Sequence, residues 1–184
     1  ADPEILKVMK KAGCVFINYG IETFDDDVLK KMNKVLTTQQ IDKGIKETLK
    51  AGISPGLNII FGHIGDTKDT LEKSVEFLMK YDDGTQMRTI RPVTPYPGSP
   101  LYYYAIEKGL IKDIADFYEN KHLNSDLFAA NFTNLSEDEL YSELSNANVR
   151  LLENYFENKK KSMFNQTRSL YSSKDKSFRG FRQA

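Results

Sequence analysis

The sequence predicts an α/β fold: a partial (β/α) barrel of about three parallel strands with outer helices, followed by an α-helical C-terminal extension. Three observations predict it. Short β-rich segments at 14–19, 53–61 and 85–91 each end in a polar or Gly/Pro loop. A helix-period segment follows each one, which argues for parallel strands joined by right-handed crossovers. From residue 110 the strand signals vanish and the chain becomes helical and polar.

Asp2-Pro3 opens the first helix, with Asp at the N-cap and Pro in the first turn. Ile5, Leu6, Met9 and Ala12 share one of its faces, and Gly13 can end it. The first strand, 14–19, is rich in β-formers. Asp25, Asp26 and Asp27 begin a short helix that Asn33 breaks. They read as cap and solvated face, since neighbours on a helix do not converge on a metal. Thr37 or Thr38 caps the next helix, whose apolar residues Ile41, Ile45 and Leu49 recur every four residues until Gly52.

The second strand, 53–61, carries Pro55 near its start, where a missing N–H is tolerable. Asp66-Thr67 caps a helix with the buried stripe Leu71, Val75 and Leu78. Tyr81-Asp82-Asp83-Gly84 is a turn, and the third strand, 85–91, stops at Pro92. Ser99-Pro100 opens a helix that ends at Gly109. Ser136-Glu137-Asp138-Glu139 is a capping box before a long helix carrying Leu140, Leu144 and Leu151. Residues 159–184 hold eight Lys or Arg against one acid, Asp175, and read as a loosely packed tail. The expected organisation is 1–112 as half-barrel, 113–163 as helical extension and 164–184 as basic tail.

Composition bounds the function classes. A chain of 184 residues with 40% hydrophobic and 28% charged residues can bury a core. Twenty-six basic and twenty-six acidic residues cancel, which argues against a whole-surface affinity for nucleic acid or anionic membrane. No apolar run of 18 residues exists to span a bilayer. The single cysteine fits a reducing compartment, and a cytoplasmic location is expected.

Several residues at the strand ends carry candidate chemistry. Glu22, just past Gly20, cannot face a dry core unpaired. It is either an acceptor for a ligand ammonium or hydroxyl, or an acid favouring the next helix N-terminus. Asn58 interrupts an apolar strand and with Ile60 should face the barrel interior, where its amide needs a ligand, a side chain or water. Gly62-His63-Ile64-Gly65 permits a close backbone approach. His63 has no second histidine nearer than His122, so no metal-spaced cluster forms around it. Arg91 and Thr94 flank Pro92; Arg91 can pair with a ligand carboxylate, with Glu22, or in a structural ion pair. Tyr96, Tyr102, Tyr103 and Tyr104 form an aromatic cluster of packing residues, one of which could meet substrate.

Three phrases in order are Gly20-Ile21-Glu22-Thr23, Ile60-Phe61-Gly62-His63-Ile64-Gly65-Asp66-Thr67 and Thr94-Pro95-Tyr96-Pro97-Gly98-Ser99-Pro100-Leu101-Tyr102. With Lys11-Ala12-Gly13-Cys14 and Met32-Asn33-Lys34, they resemble the fourth to sixth strands of the barrel in radical S-adenosylmethionine enzymes, in the branch that often carries a cobalamin-binding domain. The resemblance covers residues 2–112. It implies S-adenosylmethionine and a 4Fe-4S cluster in a full-length parent, and cobalamin through a further domain. It also implies cofactor contacts from Gly20, Glu22, Thr23, Asn58, Gly62, Arg91 and Thr94, the Glu beside the bound cofactor and the later segments at its adenine.

The family holds its cluster on C-x3-C-x2-C near the first strand, whereas this chain has only Cys14, and one thiolate cannot hold four irons. The expectation is a C-terminal part of a radical S-adenosylmethionine oxidoreductase or methyltransferase, inactive alone, that positions cofactor and an unidentified substrate. A complete non-catalytic binding or scaffold protein on a half-barrel is the alternative. An open first-strand edge would favour self-association or cover by the chain's own C-terminal segment.

Overall fold

The computed structural model describes residues 1–174 and 176. Three strands, β1 (Phe16–Glu22), β2 (Ser54–Phe61) and β3 (Arg91–Pro92), form one parallel sheet in the order β1-β2-β3. Helix α1 (Pro3–Lys11) leads into β1; α2 (Asp26–Lys31) and α3 (Thr38–Lys50) connect β1 to β2; α4 (Lys68–Lys80) connects β2 to β3. Beyond the sheet come α5 (Pro100–Glu107), the short α6 (Ile114–Asp116), a π-helical turn at Phe117–Lys121 and the long α7 (Glu137–Ser173). The partial (β/α) barrel with a helical extension is thus the architecture.

The helix starts follow local chemistry. Asp2 accepts from the N–H groups of Glu4 and Ile5, and Asp25 from those of Asp27 and Val28. Capping boxes close Thr37–Gln40, Thr67–Thr70 and Ser136–Glu139, each satisfying two otherwise orphan donors. Asn33 ends the Asp25–Met32 turn in the left-handed conformation, φ 55°.

One face of the sheet is dry. Ile21, Leu57, Ile59 and Phe61 pack against Leu29, Ile45, Val75 and Leu78 of the connecting helices. Leu140, Leu144, Ala147 and Leu151 of α7 join that same core, alongside α4. A second cluster around Val93, Tyr102, Phe117 and Phe132 gathers Ile60 and Ile64 at the far end of β2.

The third strand is shorter than expected. The sequence reading gave 85–91; the ladder holds only Arg91 and Pro92, with Val93 N–H donating to Phe61 O at 2.8 Å. The reason lies in α7. Asn148 Oδ1 accepts from Ile90 N–H at 2.8 Å, and Asn148 Nδ2 donates to Ile90 O at 2.9 Å. A side-chain amide thus occupies both backbone groups that a strand would offer. Just upstream, Arg88 is buried and donates to Tyr81 O and Pro55 O, so its extended neighbours are held by a side chain rather than by a ladder. The first strand begins and ends two to three residues later than expected, at Phe16 and Glu22. Helix α7 also runs without a break across residue 164, where the sequence reading began its tail, as far as Ser173. The tail residues 175 and 177–184 lie outside the described residues.

Candidate functional site

Parallel strands put their C-terminal ends on one edge, and sites in β/α arrays collect there. Glu22, Phe61-Gly62 and Pro92 end the three strands on that edge. Glu22 is the residue under most backbone constraint: its φ is 72°, uncommon for any residue but glycine. The ladder also slips there, since Gly20 pairs with Asn58 and Glu22 with Ile59. This bulge turns the Glu22 carboxylate back over Gly20. Its Oε1 accepts from Lys34 Nζ at 3.0 Å, and the same ammonium donates to Gly20 O at 2.9 Å. Gly20 is needed for that fold, because a Cβ there would stand 2.7 Å from Glu22 Oε1.

Lys34 is the partner that the sequence reading missed. Its signal was the Asn33 helix stop, which swings the next side chain toward the strand end. Glu22 Oε2 makes no hydrogen bond among the described residues. The carboxylate is about a quarter exposed, so the pair is worth little as a stability element.

Asn58 is exposed on the open side of the sheet, where the period-2 alternation put it, and its amide makes no hydrogen bond among the described residues. Ile60 shares its face and lines a cleft of about 360 Å³ with Arg91, Val93, Thr94, Tyr96 and Ser125. Arg91 is exposed and donates to Asp126 Oδ1 at 2.8 Å and Ser125 Oγ at 3.1 Å. It therefore pairs with the C-terminal extension and not with Glu22. Thr23 is buried. Gly62 does take a close approach, but from this chain: a Cβ there would stand 2.6 Å from the Phe128 ring. The structure thus gathers Arg91 and Thr94 around one cleft, holds Gly20 and Glu22 with Lys34, leaves Asn58 open between the two groups and covers Gly62 and Thr23.

The loop after β2 is shaped by Asp66, which the sequence reading assigned to helix capping. Thr67 is the cap; Asp66 folds the loop. Its Oδ2 accepts from the N–H groups of Gly62 (3.0 Å) and His63 (2.9 Å), and its Oδ1 from the Thr70 hydroxyl (3.0 Å). Burial outweighs these three donors and lifts the carboxyl to about 6. His63 is pushed below its ordinary value, first by burial and further by Lys31; its Nδ1 lies 3.3 Å from Ile64 O.

A cluster bound by three cysteines finds one in the sequence. Cys14 lies before the start of β1, at the opposite edge from Glu22, with Sγ donating toward Phe16 O at 3.4 Å. Among the described residues no group of three His, Cys, Asp or Glu stands close enough to hold a metal ion. The cluster does not fit these residues. An adenosine-type ligand does: the rim has an open amide, a carboxylate with one oxygen unbonded among the described residues, and a cleft lined by Ile60, Val93, Arg91, Thr94 and Tyr96. Among the described residues no helix is long and apolar enough to cross a membrane.

Residues 1–78 match the family model of the radical SAM superfamily. An uncharacterized methyltransferase of Pyrococcus horikoshii is 32% identical over 108 residues, 59% of this chain and 23% of that protein. Bacteriochlorophyllide d C-8(2)-methyltransferase of Chlorobaculum tepidum is 32% identical over 112 residues, 60% of this chain and 24% of that protein. Anaerobic magnesium-protoporphyrin IX monomethyl ester cyclase of Cereibacter sphaeroides is 32% identical over 101 residues, 55% of this chain and 16% of that protein. These stretches span about a quarter or less of each relative's length. Three parallel β/α units, and the match over the first two of them, make the chain similar over residues 1–78 to the radical SAM superfamily.

Proposed function

We propose that the C-terminal rim of this sheet is the adenosine-facing part of a radical S-adenosylmethionine enzyme. Glu22 and Asn58 turn to the cofactor, and the Arg91–Thr94 cleft to its remainder or to substrate. The observation that carries this reading is Glu22. It holds a left-handed backbone at a bulge, its carboxylate is kept at the strand end by Lys34, and one oxygen is left without a hydrogen bond among the described residues. Strain of that kind costs about 1–3 kcal/mol and clusters at ligand sites.

When bound, S-adenosylmethionine supplies the radical chemistry; the protein supplies binding and orientation. Glu22 Oε2 accepts from a cofactor ammonium or ribose hydroxyl. Lys34 keeps the carboxylate aimed along the rim. Asn58 offers both a donor and an acceptor to a polar edge. Thr94 and the Pro-rich loop after it present backbone carbonyls, because four prolines within residues 92–100 withhold N–H groups. Tyr96, exposed on the cleft wall and edge-on to Phe117 and His122, meets substrate. The cluster's cysteines come from outside these 184 residues, and the chain alone is inactive. Two of the matched relatives are named methyltransferases and one a cyclase, so methyl transfer or oxidation is the proposed reaction, with cobalamin entering through another domain.

The test uses the 184-residue chain. S-adenosylmethionine is titrated into isotope-labelled protein, and amide shifts are followed by NMR. Shifts should gather at Gly20, Glu22, Asn58 and Thr94, with a Kd on the order of millimolar for so partial a site. Losing a charge-assisted hydrogen bond in Glu22→Gln should weaken binding about tenfold. No shifts at the rim, or shifts unaltered in Glu22→Gln, would refute the reading.

A further inference from the structure

Charge is balanced over the chain but not along α7. Glu157 is the last acid of the helix; from Asn158 to Lys174 stand Lys159, Lys160, Lys161, Arg168 and Lys174 with no acid among them. The sequence beyond adds Lys176, Arg179 and Arg182 against Asp175. Solvated helices ordinarily interleave the two signs at i,i+4. Among the described residues the nearest acid–base approach here is Lys160 to Glu157 at 3.8 Å.

The same stretch leaves the body of the protein. Leu151 is the last buried residue of α7, and the last side chain bonded to another element is Asn158, which donates to Asp82 O at 3.1 Å. Among the described residues, the side-chain hydrogen bonds from Lys160 to Ser173 stay within the helix. That is about 20 Å of helix. A free helix of this length is marginal in water.

Its side chains nevertheless sort by face. Phe156, Met163 and Leu170 recur every seven residues and stack in one line; Phe164 and Tyr171 make a second line beside it. Phe164 is 53% exposed and Tyr171 75%. Lys160, Thr167 and Lys174 form a polar row between the two lines, with Lys159 and Arg168 at their flanks, where long stems can lie along apolar surface while the heads reach out. The opposite face, Ser162, Asn165, Ser169 and Ser172, is polar, with Lys161 as the one base along it.

We propose that residues 156–174 of α7 are an anchor that lies flat in the headgroup layer of an anionic phospholipid bilayer, apolar lines inward and bases on lipid phosphates. The pattern selects this occupant. A second copy of the helix would bring the same positive charge against it. A nucleic acid would match the charge but offers no hydrocarbon to the Met163–Leu170 line. A bilayer surface offers both. The inference is independent of the cofactor reading, since it uses none of the rim residues.

The test is co-sedimentation of the full 184-residue chain with vesicles. Phosphatidylcholine vesicles containing phosphatidylserine should carry the protein down, those of phosphatidylcholine alone at least tenfold less, and molar salt should release it. Phe164→Ser with Tyr171→Ser should weaken binding on the order of tenfold or more, without changing the circular dichroism of the body, as both side chains are exposed. The chain has no tryptophan, so Tyr171→Trp gives a single emission that should shift to the blue on serine-lipid vesicles. No sedimentation with anionic vesicles, or sedimentation unaffected by the double variant, overturns the proposal. Equal retention on RNA with unshifted Trp emission would assign the helix to nucleic acid instead, and vesicle-independent dimerisation to a second copy.

Discussion

Asn148→Ala should destabilise the protein by about 2–4 kcal/mol. Asn148 is the device that ends the sheet: it accepts from Ile90 N–H at 2.8 Å and donates to Ile90 O at 2.9 Å. Ile90 is 1% exposed, so solvent reaches this pair of backbone groups poorly. Each lost hydrogen bond costs about 1 kcal/mol net, and a buried group left without a partner up to about 3 kcal/mol. Alanine returns only about half a kcal/mol through better helix propensity. Urea unfolding followed by circular dichroism should therefore show the midpoint falling by about 1–2 M, with an unchanged slope. Amide exchange at Ile90 should accelerate more than at Ile59, in the centre of the sheet. A loss below about 0.5 kcal/mol with unchanged Ile90 exchange would refute the idea that a side chain closes this edge.

Two further changes test neighbouring contacts. Gly84 sits at φ 73°, and a Cβ there would stand 2.5 Å from Lys159 N and 2.8 Å from Asn158 C, both backbone atoms of α7 that cannot swing away. Gly84→Ala should cost at least about 2 kcal/mol and lower the Tm; a cost under about 0.5 kcal/mol would show that the turn and α7 do not press together. Asp66 is lifted by burial from its usual range to about 6, so between pH 4 and 6 the folded state binds more protons than the unfolded one. Its contribution makes stability fall as pH rises through that window, by up to roughly 3 kcal/mol. Asp66→Asn should remove this slope while weakening the loop at every pH; the same slope in the variant would show that another group sets it.

The elements were legible where one local rule decides them. The Ser136–Glu139 box, the cap at Thr37 or Thr38 and the stop at Asn33 are short-range signals; the structure realises the box and the stop, and places the cap at Thr37. The period of two along Leu57-Asn58-Ile59-Ile60-Phe61 was enough to turn Asn58 to the open side. What failed depends on partners distant in sequence. Residues 85–90 have strand composition, yet Asn148, fifty-eight positions after Ile90, takes the hydrogen bonds that would have extended the ladder. The partner of Arg91 is Asp126, in a loop with no pattern of its own. Gly62 reads as a ligand glycine, but the phenyl ring that fills its missing Cβ comes from residue 128. At the site, residue types gave the rim, while the bulge that aims Glu22 arises from register between two strands and has no one-residue signature.

The two faces of the sheet answer different demands. A parallel sheet is normally covered on both sides. Here Ile21, Leu57, Ile59 and Phe61 face a dry core, whereas Phe16, Asn18, Gly20 and Asn58 are exposed on the other side. Among the described residues the extension does not close that side. Helix α7 packs along α4 and Ile90, and the second cluster covers only the end of β2 near Ile60. Phe16 is 46% exposed, which is costly for an aromatic ring on a strand. Beside it, two asparagines and a glycine occupy positions where strands otherwise favour β-branched residues. Neither asparagine side chain makes a hydrogen bond among the described residues. An apolar cover laid over this face would strand both amides at a cost of about 1–3 kcal/mol each. Whatever closes the open face must therefore carry hydrogen-bonding groups at Asn18 and Asn58 and an apolar surface at Phe16. An adenosine-type ligand at the C-terminal end, with protein packed toward the Phe16 end, satisfies both halves of that requirement.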